Sequence, residues 1–177
     1  MGIIQELRFV APLPNPPQRA VQAVAETKAG SWFLQRTMYR LDRPLHRWTD
    51  GRVTLPGLLT GLPVILLTTT GAKSGLTRTM PVGAFPVGGD LAVLGTNFAQ
   101  PTAPAWVFNL EADPKAQVTF RDRTVDAVAR VATDDEREHA WAVAISYYRG
   151  FKAYRLRITD RQVRIFILES ASTGGAE

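Results

Sequence analysis

From Leu62 onward, tight turns cut the chain into short β-type runs, and this rhythm constrains the fold more than any other feature. "VILLTT" (Val64–Thr69), "RTMPVGAFPV" (Arg78–Val87) and "LAVLGT" (Leu91–Thr96) are apolar or β-branched runs of strand length. The last two flank "GGD", a hairpin signal. Ala116–Arg121 and Thr124–Ala132 read as a second hairpin around "RDR", and "QVRIFILE" as a final strand. Helices sit between these strands. Pro104 opens "PAWVFNLEA", and T-D-D-E at Thr133–Glu136 is a capping box for a helix running to about Tyr148. Strands mostly in hairpins, without regular βαβ alternation, exclude a Rossmann sheet and predict an α+β chain built on a small closed or split barrel of about six mostly antiparallel strands.

The segment before the barrel has a different texture. "APLPNPPQ" belongs to an irregular leader of fifteen or so residues, and "RAVQAVAETKAG" is a short helix stopped at Gly30. Ser31 caps a second helix over residues 31–48, which Pro44 should kink. Its Leu34, Met38, Leu41, Leu45 and Trp48 fall on one face, with Arg36, Arg40, Arg43 and Arg47 opposite. Packing of that stripe on the protein's own barrel or on another subunit is the first reading. Peripheral contact with an anionic membrane is the second. The expected organisation is 1–50 as leader and amphipathic helices, 51–170 as a barrel domain with those helices packed on it, and 171–177 as a flexible tail.

Composition removes several function classes. The 177 residues contain no cysteine, so disulfides and thiolate metal sites are impossible. His46 and His139 lack the spacing of a metal pair, and no metal is expected. The longest apolar run, "LPVILL", is strand-sized, and "MGIIQELRF" lacks the features of a signal peptide. A cytoplasmic location is expected, with a peripheral position on the inner face of the cell membrane as the variant. The net charge of +5 favours an anionic partner. The basic segments are not interleaved with aromatics, so nucleic acid is not expected.

"TTTGAKSGLTRTMPV" (Thr68–Val82) concentrates the chemistry. A strand ending in "TGAKSG" would point successive backbone N–H groups into a turn, and Lys73, Ser74 and Arg78 add donors suited to an anion. The Walker phosphate loop does not fit, because Ala72 separates Gly71 from Lys73. An exposed hairpin with ordinary basic decoration is the competing reading.

Four ordered pieces, "LLTTTGAKSGLTRTMP", "GTNFAQPTAPAWVFNL", "ADPKAQV" and "ATDDEREHAWAVAISYYRGFKAY", resemble the deazaflavin-dependent nitroreductase and quinone reductase family, which uses coenzyme F-420. The resemblance implies a split barrel and an oxidoreductase. Hydride would pass from reduced F-420 to a small-molecule acceptor, namely a quinone, nitroaromatic or enone. It further implies that Lys73, Ser74, Gly75 and Arg78 hold the coenzyme's phosphate and glutamate tail, while Thr79, Met80 and Pro81 pass beneath its ring. Thr96 and Asn97 would lie beside the ring, and Ala105, Trp106 and Asn109 would form a wall. Tyr148, Phe151 and Tyr154 match the acceptor-lining tyrosine positions, with Tyr148 and Tyr154 as the proton-donating pair; the competing reading is one packed helix face. The family often has basic residues at the positions of Ala72 and Thr102. Their absence keeps a coenzyme-free lipid or fatty-acid binding barrel as the alternative. Flavin mononucleotide is the substitute coenzyme, and a homodimer is left open because split barrels commonly pair.

Overall fold

A computed structural model describes residues 1–11, 13–25 and 61–172. The 31–48 helix expected from the sequence lies outside them. Six strands, β1 (Val64–Thr70), β2 (Thr77–Val87), β3 (Asp90–Leu94), β4 (Lys115–Phe120), β5 (Arg123–Val131) and β6 (Ile165–Ser170), close a barrel in the order β1-β2-β3-β6-β5-β4. Every pairing is antiparallel. The helices are α1 (Ile3–Leu7), α2 (Pro16–Ala25), α3 (Ala105–Ala112), α4 (Asp134–Tyr147) and α5 (Gly150–Arg157).

Alternation along the strands sorts the side chains. In β1, Ile65, Leu67 and Thr69 are buried, whereas Val64, Leu66 and Thr68 on the outer face are half-buried. The interior is filled by Ile65, Leu67, Val82, Ala84, Val93, Val118, Phe166 and Leu168. On the outside, Phe85, Ala92, Leu94, Ile165 and Ile167 turn a second apolar face outwards, and α4 and α5 cover it. Part of the outer face of β1, β2, β4 and β5 is polar instead. There Thr68 pairs with Thr79, Gln117 with Asp126 and Thr119 with Thr124 through side-chain hydrogen bonds of 2.8, 2.9 and 2.8 Å.

A helix stoppers each end. At the end that carries the two hairpin turns, Ile3 and Leu7 of α1, followed by Phe9, enter the barrel core. At the opposite rim Trp106, Val107 and Leu110 of α3 do the same, with Trp106 edge-on to Phe166. The leader expected to be irregular therefore contains a helix. Five residues are too few to stabilise a helix alone, and α1 persists because the barrel buries two of them. The described chain ends against the barrel. Ser170 belongs to β6 and is buried, and the Ser172 hydroxyl donates to Glu6 at 2.8 Å.

Candidate active site

The rim closed by α3 carries the β1–β2 turn. Its backbone is not an open concavity. Gly71 N–H donates to the Leu76 carbonyl at 2.9 Å, Gly75 N–H to the Gly71 carbonyl at 2.7 Å, and Ser74 N–H to the same oxygen at 3.2 Å. Leu76 N–H reaches the Ser74 hydroxyl at 3.3 Å. Ala72 N–H is taken by Asn109 Oδ1 at 3.0 Å, while Asn109 Nδ2 donates to the Thr69 hydroxyl at 2.9 Å. Five of the six N–H groups from Gly71 to Leu76 in the expected row of donors are thus spent inside the turn and on α3, because a turn this tight satisfies most of its own backbone. Gly75 holds φ +65°, which a side chain would strain, and this explains the second glycine.

What the turn offers outwards is side chains. Lys73, Ser74 and Arg78 are exposed, and neither cation meets a carboxylate among the described residues. Thr79 and Pro81 are also exposed, on the outer face of β2. Met80 between them turns inward and packs on the barrel core, as strand alternation requires. Trp106 is likewise committed to the core, Asn109 is a buried strut, and Ala105 is exposed at the start of α3.

Beyond β3 the chain enters an unusual loop. Asn97, Phe98 and Ala99 have φ of 47°, 54° and 60°, three successive non-glycine residues in the left-handed region. Each costs on the order of 1–2 kcal/mol, so the surroundings must impose the shape. Arg161 does so. Its guanidinium donates to the carbonyls of Gly95 and Thr96, both at 3.0 Å, and of Gln100 at 3.3 and 3.4 Å. Partial burial pulls the Arg161 pKa down, yet a guanidinium remains charged throughout the physiological range. Asn97 Nδ2 adds a bond to the Thr102 carbonyl at 2.9 Å. Thr96 is buried, and the loop packs against α5. The strand expected to reach Thr96 ends at Leu94 because this turn begins there.

Tyr148, Phe151 and Tyr154 do come together, though not on a single helix. Tyr148 ends α4 in extended conformation, and the other two lie on α5, which starts two residues later. Their rings meet pairwise edge-to-face at centroid distances of 5.9, 6.2 and 5.6 Å. Phe151 also touches Phe85 and Trp141, so it is the hub of the outer core. Burial raises the Tyr154 pKa, opposed by a hydrogen bond from the Tyr148 hydroxyl and by the charge of Arg157. Tyr147 does a different job: its hydroxyl donates to the Ala11 carbonyl at 2.6 Å, and its own carbonyl accepts from Gln22 at 2.9 Å. It straps the N-terminal segment to α4.

Two cationic residues near this rim escaped the sequence reading. Lys115 opens β4 beside the end of β1; it is exposed, and its ammonium group meets no carboxylate among the described residues. Arg161 follows α5 in a segment with no motif. Arg161 has no local signal, and Lys115 lies within "ADPKAQV" without standing out there; the barrel register and the loop geometry bring them to the rim.

An antiparallel six-stranded barrel with a cationic turn at one rim and a tyrosine-bearing aromatic wall outside it defines a small barrel suited to an anionic, ring-bearing ligand. Comparison with known proteins agrees. The family model described as F-420H(2)-dependent quinone reductase matches residues 38–170. An F-420H(2)-dependent quinone reductase of Mycobacterium tuberculosis is 27% identical over 105 residues, which is 58% of this chain and 68% of that protein. Among solved structures, an F-420-H(2)-dependent reductase, FDR-A, is 37% identical with a TM-score of 0.55, over 60% of this chain and 94% of that one. A structure described as a domain-swapped dimer is 32% identical with a TM-score of 0.57, over 80% of this chain and all of that one. The chain belongs to the F-420H(2)-dependent quinone reductase family. It is an oxidoreductase, and its coenzyme is the deazaflavin F-420. Among the described residues no helix is long and apolar enough to cross a membrane.

Proposed function

We propose that this chain reduces a quinone with reduced F-420, gripping the coenzyme's phosphate and acidic tail with Lys73, Ser74 and Arg78 and meeting the acceptor at Tyr148 and Tyr154. The observation that carries the reading is the clamped turn. Asn109 locks Ala72 in place, so that Lys73 and Arg78 leave a fixed backbone with no acidic partner among the described residues. The donor set fits a polyanion: two cations and a hydroxyl on one turn, with Lys115 on the same rim. The missing basic residues at Ala72 and Thr102 therefore do not leave the rim without cations. The quinone preference is supported by the family and by the relatives from M. tuberculosis.

F-420, when bound, supplies a hydride. The protein's share is orientation and the proton. A quinone takes up one hydride and one proton to become a hydroquinone, so one oxygen needs a donor. A tyrosine hydroxyl is protonated at neutral pH even at its ordinary pKa, and burial raises that of Tyr154 further, so it is available as a hydrogen-bond and proton donor with the Tyr148 hydroxyl behind it. Phe151 provides packing and no hydrogen bond. Nitroaromatics and enones present a similar polarised oxygen and are the acceptors to compare.

The test has two arms. Titration with F-420, followed by ring fluorescence, should saturate at low micromolar concentration. Reduced F-420 should then be reoxidised faster when a naphthoquinone is added than when a nitroaromatic or enone is. Saturable binding with no quinone preference would reject the acceptor assignment alone.

A further inference from the structure

The left-handed loop at Asn97–Ala99 is the most strained segment of the described chain, and it displays an aromatic ring. Phe98 is 58% exposed, although it stands at the centre of a turn that four guanidinium hydrogen bonds hold in shape. Its neighbour Ala99 packs into the outer core that contains Tyr148 and Tyr154, and the loop itself lies against α5. The Phe98 ring is therefore a surface feature at the edge of the outer core to which the tyrosine pair belongs, placed there by a conformation that β3 alone would not adopt. Strain of this kind persists where a side chain must be aimed. A planar acceptor is the ligand that such a ring suits, because an aromatic face stacks on another.

We propose that Phe98 stacks on the ring of the acceptor and selects for larger aromatic quinones, and that Arg161 is the positioning residue that holds it there. This rests on the quinone reading above, and the two are separable by equilibrium binding. The guanidinium needs its planar fork to bridge three carbonyls, so lysine cannot replace it. Without the bridge the loop relaxes towards ordinary right-handed or extended backbone, and Phe98 swings away.

The experiment measures binding of a two-ring naphthoquinone and of a one-ring benzoquinone by quenching of tryptophan fluorescence, with F-420 titrated separately. Phe98→Ala should weaken naphthoquinone binding about fivefold to tenfold, and benzoquinone binding less, as expected for a lost stacking partner. The thermal midpoint should not move, because the ring is exposed, and affinity for F-420 should not move, because the ring is assigned to the acceptor. Phe98→Tyr should keep parental affinity, since it retains the ring. Arg161→Lys should reproduce the loss in part, with KM for naphthoquinone rising more than kcat falls. Parental naphthoquinone affinity in Phe98→Ala overturns the proposal, whatever the turnover. Equal losses for both quinones overturn it too, because ring size would then play no part. A parent that binds naphthoquinone through Phe98 yet does not reduce it would sink the quinone-reductase reading and leave the stacking site standing.

Discussion

Asn109 and Ala72 are 37 positions apart, and the Asn109 side-chain Oδ1 accepts the Ala72 N–H at 3.0 Å. The same side chain donates to the Thr69 hydroxyl at 2.9 Å. One buried amide thus joins the helix that stoppers the barrel to the turn bearing Lys73. Asn109→Leu would leave a backbone N–H without its partner, at a cost of roughly 1–3 kcal/mol. The expected result is a lower thermal midpoint together with weaker F-420 binding, read by melting and by fluorescence titration. A normal midpoint with unchanged affinity would show that the turn does not depend on α3.

Lys73 and Arg78 separate binding from stability in the other direction. Both are exposed, so alanine at either should leave the thermal midpoint in place. A charge-assisted bond to phosphate contributes roughly 1.5–3 kcal/mol, less what the solvent screens, so each replacement should weaken F-420 binding at least several-fold. The difference from the parent should narrow as salt is raised. Unchanged affinity in the double replacement would remove the turn from the coenzyme site.

Tyr154→Phe should lower turnover with F-420 affinity nearly intact, since its hydroxyl is assigned to the acceptor. Steady-state kinetics beside a coenzyme titration decides the matter. A collapse of coenzyme binding would make Tyr154 structural.

A pH-dependent contribution to stability sits at the foot of α4. The Arg130 guanidinium binds Glu136 through two hydrogen bonds of 2.6 and 2.7 Å and Glu169 through one of 2.6 Å. The hydrogen bonds from Arg130 hold the Glu136 carboxyl down at about 2, from an ordinary value of 4.5. A depressed folded-state pKa stabilises above the unfolded value, and that stabilisation is lost as pH falls. The thermal midpoint should therefore decline between about pH 4.5 and 2. Glu136→Gln should flatten that decline; an identical slope would assign it to other carboxylates.

Much of this was legible in the sequence. Both hairpins, the helix at Pro104 and the capping box at Thr133 come from side chains that act within a few residues of themselves. In the folded chain Thr133 and Glu136 do exchange hydrogen bonds, of 2.9 and 3.4 Å. What failed depended on distant partners. α1 is too short to be read from its own residues, and its stability comes from the barrel interior. The open anion concavity ignored Asn109, which is brought to Ala72 only by the fold. The left-handed run at Asn97–Ala99 contains no glycine, so the sequence carries no sign of it, and the Arg161 that enforces it is about sixty positions away.

Gly150 supplies the last test, because it lies between the two tyrosines. A Cβ at this position would fall inside the Tyr148 ring, with the Tyr148 hydroxyl only 2.5 Å away. The ring therefore lies flat on the first residue of α5, which lets its hydroxyl reach Tyr154. In Gly150→Ala the ring must leave. Overpacking of this kind typically costs about 1–3 kcal/mol, against which the better helix propensity of alanine is a partial offset. The expected outcome is a lower thermal midpoint and a loss of turnover resembling that of Tyr148→Phe, with F-420 affinity little changed. Combining Gly150→Ala with Tyr148→Ala removes the obstructing ring. If the contact is the cause, the double variant should be less destabilised than the sum of the two single changes. Strict additivity would mean that Tyr148 does not rest on Gly150, and the account of how α4 and α5 bring the two hydroxyls together would have to be abandoned.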